Sequence, residues 1–141
     1  MVLTCVAATE ALRLLGARRV ALLHPPWFSE ETNAKGMEYF RGLGFDVVHC
    51  AQMKPARAFT EVSPAEVYEW TVANAPSQAE AIMILGNGLR AVGTIRALEA
   101  RLRRPVLTAN QVALWEALRL VGMTSKVTHY GRVFTKGGPT R

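Results

Sequence analysis

With 141 residues the chain is long enough for one hydrophobic core and too short for two ordinary domains. Half of its residues are apolar and a fifth are charged, and no apolar run approaches the roughly 20 residues that span a bilayer, so neither a disordered chain nor a membrane partner is expected. The formal charge of +6 comes from scattered arginines with one cluster, Arg101-Leu102-Arg103-Arg104, at a predicted helix end where cations complement the dipole, which leaves no nucleic-acid partner expected.

At the start, Met1-Val2-Leu3-Thr4-Cys5-Val6 has no basic segment before its apolar residues, so no signal peptide is expected. Cys5 and Cys50 are too few for a disulfide scaffold; reduced thiols and a cytoplasmic location are the simpler reading. A helical pattern over 7–15 ends at Gly16, and a short apolar strand follows over 20–24. Ser29 introduces a helix over 30–43, with Glu30 and Glu31 in its first turn and Gly44 at its end. A second strand, 45–49, leads into residues 51–62, which show no periodicity; ordered loops of that length are usually lids or binding loops. The helix predicted over 64–75 has the clearest start, with Ser63 as cap, Pro64 at its first position and Glu66 completing a capping box, and Pro76 closes it. After a third strand, 81–85, comes Gly86-Asn87-Gly88, and the stripe Leu89, Val92, Ile95, Leu98, Leu102 predicts a helix beginning at once. A fourth strand, 105–108, precedes a helix over 111–121 with Asn110 as its cap and Gly122 as its stop. Residues 123–141, with Gly131, Gly137, Gly138 and Pro139, read as an irregular tail behind a single domain over 1–122. No internal repeat or low-complexity tract stands out.

Uninterrupted apolar strands alternating with helices define an α/β fold, because right-handed crossovers force a parallel sheet covered on both faces. The expected architecture is a flavodoxin-like four-stranded parallel sheet of order 2-1-3-4 with helices on both faces. Ligands in such sheets sit beyond the carboxyl ends of the strands, where the strand order reverses. That rule brings His24-Pro25-Pro26-Trp27 together with Gly86-Asn87-Gly88, with Asn110 one strand farther on. Glycines without Cβ let main-chain N–H groups approach an anion, so the implied ligand is a small carboxylate or phosphate. Each residue also has a plainer role: the glycines as close-packing positions, His24 as a capping group, Trp27 as a packing anchor, Asn110 as a helix cap. His49 and His129 have no partner at a suggestive spacing. The turn matches neither the GxGxxG fingerprint nor a lysine-bearing phosphate loop.

Several of these segments, in this order and spacing, resemble the carboxyl-terminal half of the aspartate/glutamate racemase superfamily, in the branch of maleate cis-trans isomerases and arylmalonate decarboxylases. They are Glu10-Ala11-Leu12-Arg13 through Gly16-Ala17-Arg18-Arg19-Val20-Ala21-Leu22, then Pro25-Pro26-Trp27 with Asn33. Leu89-Arg90 behind the glycine turn is similar too, as are Pro105 through Gln111 leading into Leu114-Trp115, and Tyr130-Gly131-Arg132-Val133-Phe134. The resemblance implies a fold of two similar α/β halves with the active site between them. It also implies chemistry without cofactor or metal: cysteine thiols move protons or attack the substrate while backbone N–H groups and hydroxyls hold its carboxylates.

Measured against that family, the second-half cysteine falls at Gly86, a carboxylate-binding tyrosine falls near Trp27, and the first half is missing. Cys50 cannot replace the thiol directly, lying two strands from Gly86, roughly 10 Å at ~4.8 Å per strand. No catalytic residue is therefore assigned. The expected binding residues are Gly86, Asn87 and Gly88 for a carboxylate, Trp27 and Asn110 as pocket walls, and Met53 and Phe59 as an apolar lid. The implied function is isomerisation or decarboxylation of a small dicarboxylic acid, impaired or completed by a homo-oligomeric or complementary partner. The alternative is a non-catalytic binding or interaction domain, and a third reading makes the chain part of a longer gene product.

Overall fold

The structure, a computed structural model, describes residues 3–123 and 127–136. Gly137, Gly138 and Pro139 of the tail lie outside the described residues. Chain order is α1 (Thr4–Leu14), β1 (Arg19–His24), α2 (Glu30–Gly42), β2 (Asp46–Gln52), α3 (Pro64–Ala73), β3 (Ala81–Ile84), α4 (Ile95–Leu102), β4 (Val106–Thr108), α5 (Ala109–Leu120) and α6 (Val133–Lys136). All strand pairings are parallel, as the alternation required, and the sheet order is β2-β1-β3-β4, the expected one. Leu22 lies at the centre, beside Cys50 on β2 and Met83 on β3.

Period-two alternation along β1 divides the core. Val20 and Leu22 face a layer that includes Ala8, Ala11, Leu12, Phe40, Val112 and Trp115, from α1, α2 and α5. Ala21 and Leu23 face Val67 and Leu98, from α3 and α4, together with Met53 and Val62 from the long loop. Both faces are thus covered, which explains why the strands carry no polar stripe.

Local signals placed several boundaries well. The Ser29 side chain accepts from Thr32 N–H, and Ser63 with Glu66 forms the expected capping box. Four expectations need correction. The helix after the glycine turn starts at Ile95, not Leu89: residues 85–91 are irregular and Val92–Thr94 forms a 3-10 turn. Thr108, not Asn110, caps α5, its hydroxyl accepting from Gln111 N–H while the Gln111 carboxamide oxygen accepts from Thr108 N–H. β2 continues to Gln52, so Cys50 lies within the strand rather than at its end. Finally, residues of the expected tail are bound to the body. Both carboxylate oxygens of Glu99 accept from Arg132 N–H, Gln111 Nε2 donates to the Tyr130 carbonyl, and Val133 is buried. No described helix is long and apolar enough to cross a membrane.

Candidate functional site

The strand order places the carboxyl ends of β1 and β3 side by side, and the loops that follow them meet. Leu85 N–H still donates to Leu23 O at 2.8 Å, after which the chain turns at Gly86, where φ is +94°. Leu89 N–H closes that turn on Gly86 O at 3.1 Å. Among the described residues, the N–H groups of Gly86, Asn87 and Gly88 meet no acceptor. Asn87 and Gly88 are exposed, and Gly86 is half-buried.

Asn110 stands in the first turn of α5 and donates from Nδ2 to Asn87 O at 2.7 Å. Its role is therefore to hold the glycine turn against the α5 N-terminus, whose first N–H groups have no intrahelical acceptor. That arrangement concentrates positive partial charge on one rim of the sheet. The positive end belongs to α5, because α4 starts too late to contribute.

Pro25, Trp27 and Phe59 cover this rim. A Cβ built on Gly86 would lie 2.6 Å from Pro25 Cγ and 3.2 Å from Trp27 Cζ2. One built on Gly88 would lie 3.2 Å from Phe59 Cβ and 3.4 Å from Trp27 Cζ2. The Trp27 and Phe59 rings meet edge to face, centroids 6.2 Å apart. The structure thus gathers Trp27, Phe59, Gly86, Asn87, Gly88 and Asn110. Met53 lies elsewhere: it is buried in the core beneath the long loop, its N–H donating to His24 O at 3.0 Å.

Three positioning residues escaped the sequence reading. Arg90 donates from Nε and Nη2 to Val62 O at 3.2 and 2.9 Å, and from Nη2 to Thr60 O at 3.4 Å. This guanidinium ties the loop carrying Phe59 to the loop carrying Gly88. Arg57 pairs with Glu66 at 2.8 Å, so the loop is also anchored to the start of α3. The Ser63 backbone N–H, then the Arg57 and Ser63 side chains, hold the Glu66 carboxyl below its usual range. Gln52 Nε2 donates to Phe28 O and Pro25 O, fixing the turn that presents Trp27. No motif announces such long-range contacts to carbonyls.

His24 ends β1 without facing the rim. Alternation turns its ring toward α2, where a Cβ on Gly36 would lie 3.6 Å from His24 Cε1. The ring is fully buried with neither nitrogen hydrogen-bonded, and burial pushes its pKa down to about 4. Burial likewise raises the Cys50 thiol, against a smaller opposing effect of Arg41, so Cys50 is no ready thiolate. Cys5 is exposed on α1. Among the described residues no three His, Cys, Asp or Glu side chains are grouped to hold a metal ion. A cavity of about 400 Å³ opens at the opposite edge, lined by Arg13, Arg18, Leu43 and Phe45 among others. It lies on the turns before β1 and β2, away from the strands' carboxyl ends, and the rim remains the candidate site.

A doubly wound parallel sheet of order β2-β1-β3-β4, with the loops after β1 and β3 meeting at its carboxyl rim, defines the class. Residues 2–134 match the arylmalonate decarboxylase family, and the chain belongs to that family. It is 27% identical over 133 residues to arylmalonate decarboxylase of Bordetella bronchiseptica, covering 91% of this chain and 55% of that protein. A crystal structure of arylmalonate decarboxylase superposes with a TM-score of 0.84 at 26% identity, covering 95% of this chain and 60% of the other. The maleate isomerase of Pseudomonas putida S16, as a cysteine-to-alanine variant with maleate, gives a TM-score of 0.85 at 20% identity over 95% of this chain and 54% of that one. A cysteine-to-serine variant of Nocardia farcinica maleate cis-trans isomerase, with a covalently bound succinylcysteine intermediate, gives 0.80 at 24% identity, covering 95% and 55%. The chain therefore spans about half the length of the relatives it matches.

Proposed function

We propose that this chain is the acid-recognising unit of a cofactor-independent isomerase or decarboxylase of small dicarboxylic acids, of the maleate or arylmalonate type, and that it supplies no thiol to the reaction. The observation that carries this reading is the glycine turn: three N–H groups without acceptors, held against the α5 N-terminus by Asn110, at the reversal of strand order. A carboxylate there would accept from the N–H groups of Gly86, Asn87 and Gly88, with Trp27 and Phe59 enclosing the remainder of the acid. Met53 supports the loop from below rather than touching ligand. Preorganised donors of this kind stabilise the negative charge that builds on a carboxylate or enediolate as a carbon–carbon or carbon–hydrogen bond breaks. The thiol that would move the proton or attack the double bond comes from elsewhere, from a complementary half or a second copy. Free Cys5 and Cys50 suit a reducing cytoplasm.

The second reading, a non-catalytic carboxylate-binding or interaction domain of the same descent, is favoured by Pro25 and Trp27 filling the direction in which a side chain at position 86 would point. Thermal unfolding with and without millimolar maleate and phenylmalonate, alongside an assay for fumarate and for released carbon dioxide, separates the two. A raised melting temperature with turnover supports the enzyme unit. A raised melting temperature without turnover, also after mixing with a thiol-bearing half, supports the binding domain. No shift and no turnover would remove acid recognition altogether.

A further inference from the structure

β4 is an edge of the sheet, and its outward N–H groups are answered by side chains rather than by another strand. Val106 N–H donates to Glu99 Oε1 at 3.1 Å, and Thr108 N–H donates to Gln111 Oε1 at 3.0 Å. Glu99 comes from α4 and Gln111 from α5, so the edge is capped from both helical layers. The same two side chains hold the tail. Glu99 accepts from Arg132 N–H at 3.0 Å through Oε2 and 3.2 Å through Oε1, and Gln111 Nε2 donates to Tyr130 O. Residues 130–132 therefore cross the β4 edge as a strap, from the first turn of α5 to the middle of α4. Gly131 lets the strap lie close: its φ is +106°, and a Cβ there would collide with Gln111 Nε2 and lie 2.9 Å from Ile95 Cγ2.

Glu99 is 7% exposed, and among the described residues no Lys or Arg pairs with it. Burying a carboxylate is costly unless its oxygens are hydrogen-bonded, and here N–H groups from two separate segments supply those bonds. A neutral glutamine could not do the same. It would keep an oxygen for Val106 N–H but set its amide NH2 against Arg132 N–H. Glu99 is thus a latch whose charge is specific to the strap.

Through Gln111 the strap reaches the candidate site. Asn110, the residue before it, holds Asn87 O in the glycine turn, while the Gln111 carboxamide closes the capping box that fixes this helix turn on Thr108. Gln111 is 2% exposed, so without Tyr130 O its Nε2 is a buried donor with no acceptor. Its amide could then reach water only by giving up Thr108, which frees the turn that carries Asn110. We infer that the strap braces the acid site, and that Glu99 and Gln111 are positioning residues for acid recognition. The inference rests on the proposed binding of a carboxylate at the glycine turn.

The test compares Glu99→Gln and Gly131→Ala with Phe40→Leu, a core substitution in α2 away from both strap and rim. Three quantities are measured for each: proteolysis within residues 127–132, hydrogen exchange of the Leu89 N–H that closes the glycine turn, and the dissociation constants of maleate and phenylmalonate. Both strap variants should be cut at least fivefold faster, exchange at Leu89 at least fivefold faster and bind the acids at least fivefold more weakly. Phe40→Leu should lower the melting temperature and leave all three quantities within twofold. The inference is overturned if neither strap variant is cut faster, or if both are and yet keep the original Leu89 exchange or the original acid affinity. It is equally overturned if Phe40→Leu moves Leu89 exchange as far as they do. Should the unsubstituted chain bind neither acid, the acid-recognition reading falls, and Leu89 exchange alone still decides whether the strap braces the turn.

Discussion

At Gly86 a side chain would share space with the Pro25 ring, at a φ of +94° that L-residues rarely adopt. Overpacking and left-handed strain add, so Gly86→Ala should cost about 2–4 kcal/mol of stability, read from urea unfolding. Gly86→Cys should cost as much and bring no turnover by itself. Recovery of stability in a Gly86→Cys, Pro25→Gly double variant would identify Pro25 as the obstruction. His24 offers a second measurement. Its folded pKa of about 4 lies below the ordinary 6.5, so the unfolded chain binds the proton more readily. Its buried neutral form is unopposed above about pH 6.5, and stability should fall as the pH drops from there to about 4, by at most ~3 kcal/mol. His24→Leu removes two buried nitrogens that have no partners and should flatten this slope, measured as melting temperature against pH.

Among the elements, the long loop after β2 is tied down by contacts from outside it. Arg90 fastens it through carbonyls at Thr60 and Val62, and Arg57 fastens it to Glu66. Arg90→Ala should therefore lower stability by about 1–2 kcal/mol and speed proteolytic cleavage within residues 53–62, followed by mass spectrometry of the fragments. Thr108→Ala removes the α5 cap and should cost about 1–2 kcal/mol. Asn110→Ala keeps that cap and releases Asn87; it should change stability by less than about 1 kcal/mol yet weaken any acid-induced rise in melting temperature. The difference between these two substitutions arises because Thr108 caps the helix while Asn110 reaches across to the neighbouring loop. Sequence alone assigned the cap to Asn110, since either residue type suits the position and only the β4 terminus decides between them. The stripe from Leu89 to Leu102 misled for a related reason: Leu89 is buried from an irregular segment and Val92 begins a 3-10 turn, so their spacing imitates a helical face.

For the molecule as a whole, the apolar strands, the capping signals at Ser29 and Ser63, and right-handed crossover geometry were enough to give a parallel sheet, and the flavodoxin-like order expected for it, β2-β1-β3-β4, is the one observed. They also placed Trp27 and Gly86 at one rim, because the position of a strand end follows from chain order and handedness. What the chain's letters determined by themselves was periodic and local: which faces are apolar, where helices are capped, and that no side chain stands at position 86. Tertiary structure decided the rest, namely that Pro25 and Trp27 crowd that glycine, that Arg90 holds Phe59 over Gly88, and that His24 turns inward. Those outcomes depend on contacts between residues far apart in sequence, whose distances are set only when the sheet and its two helical layers close together.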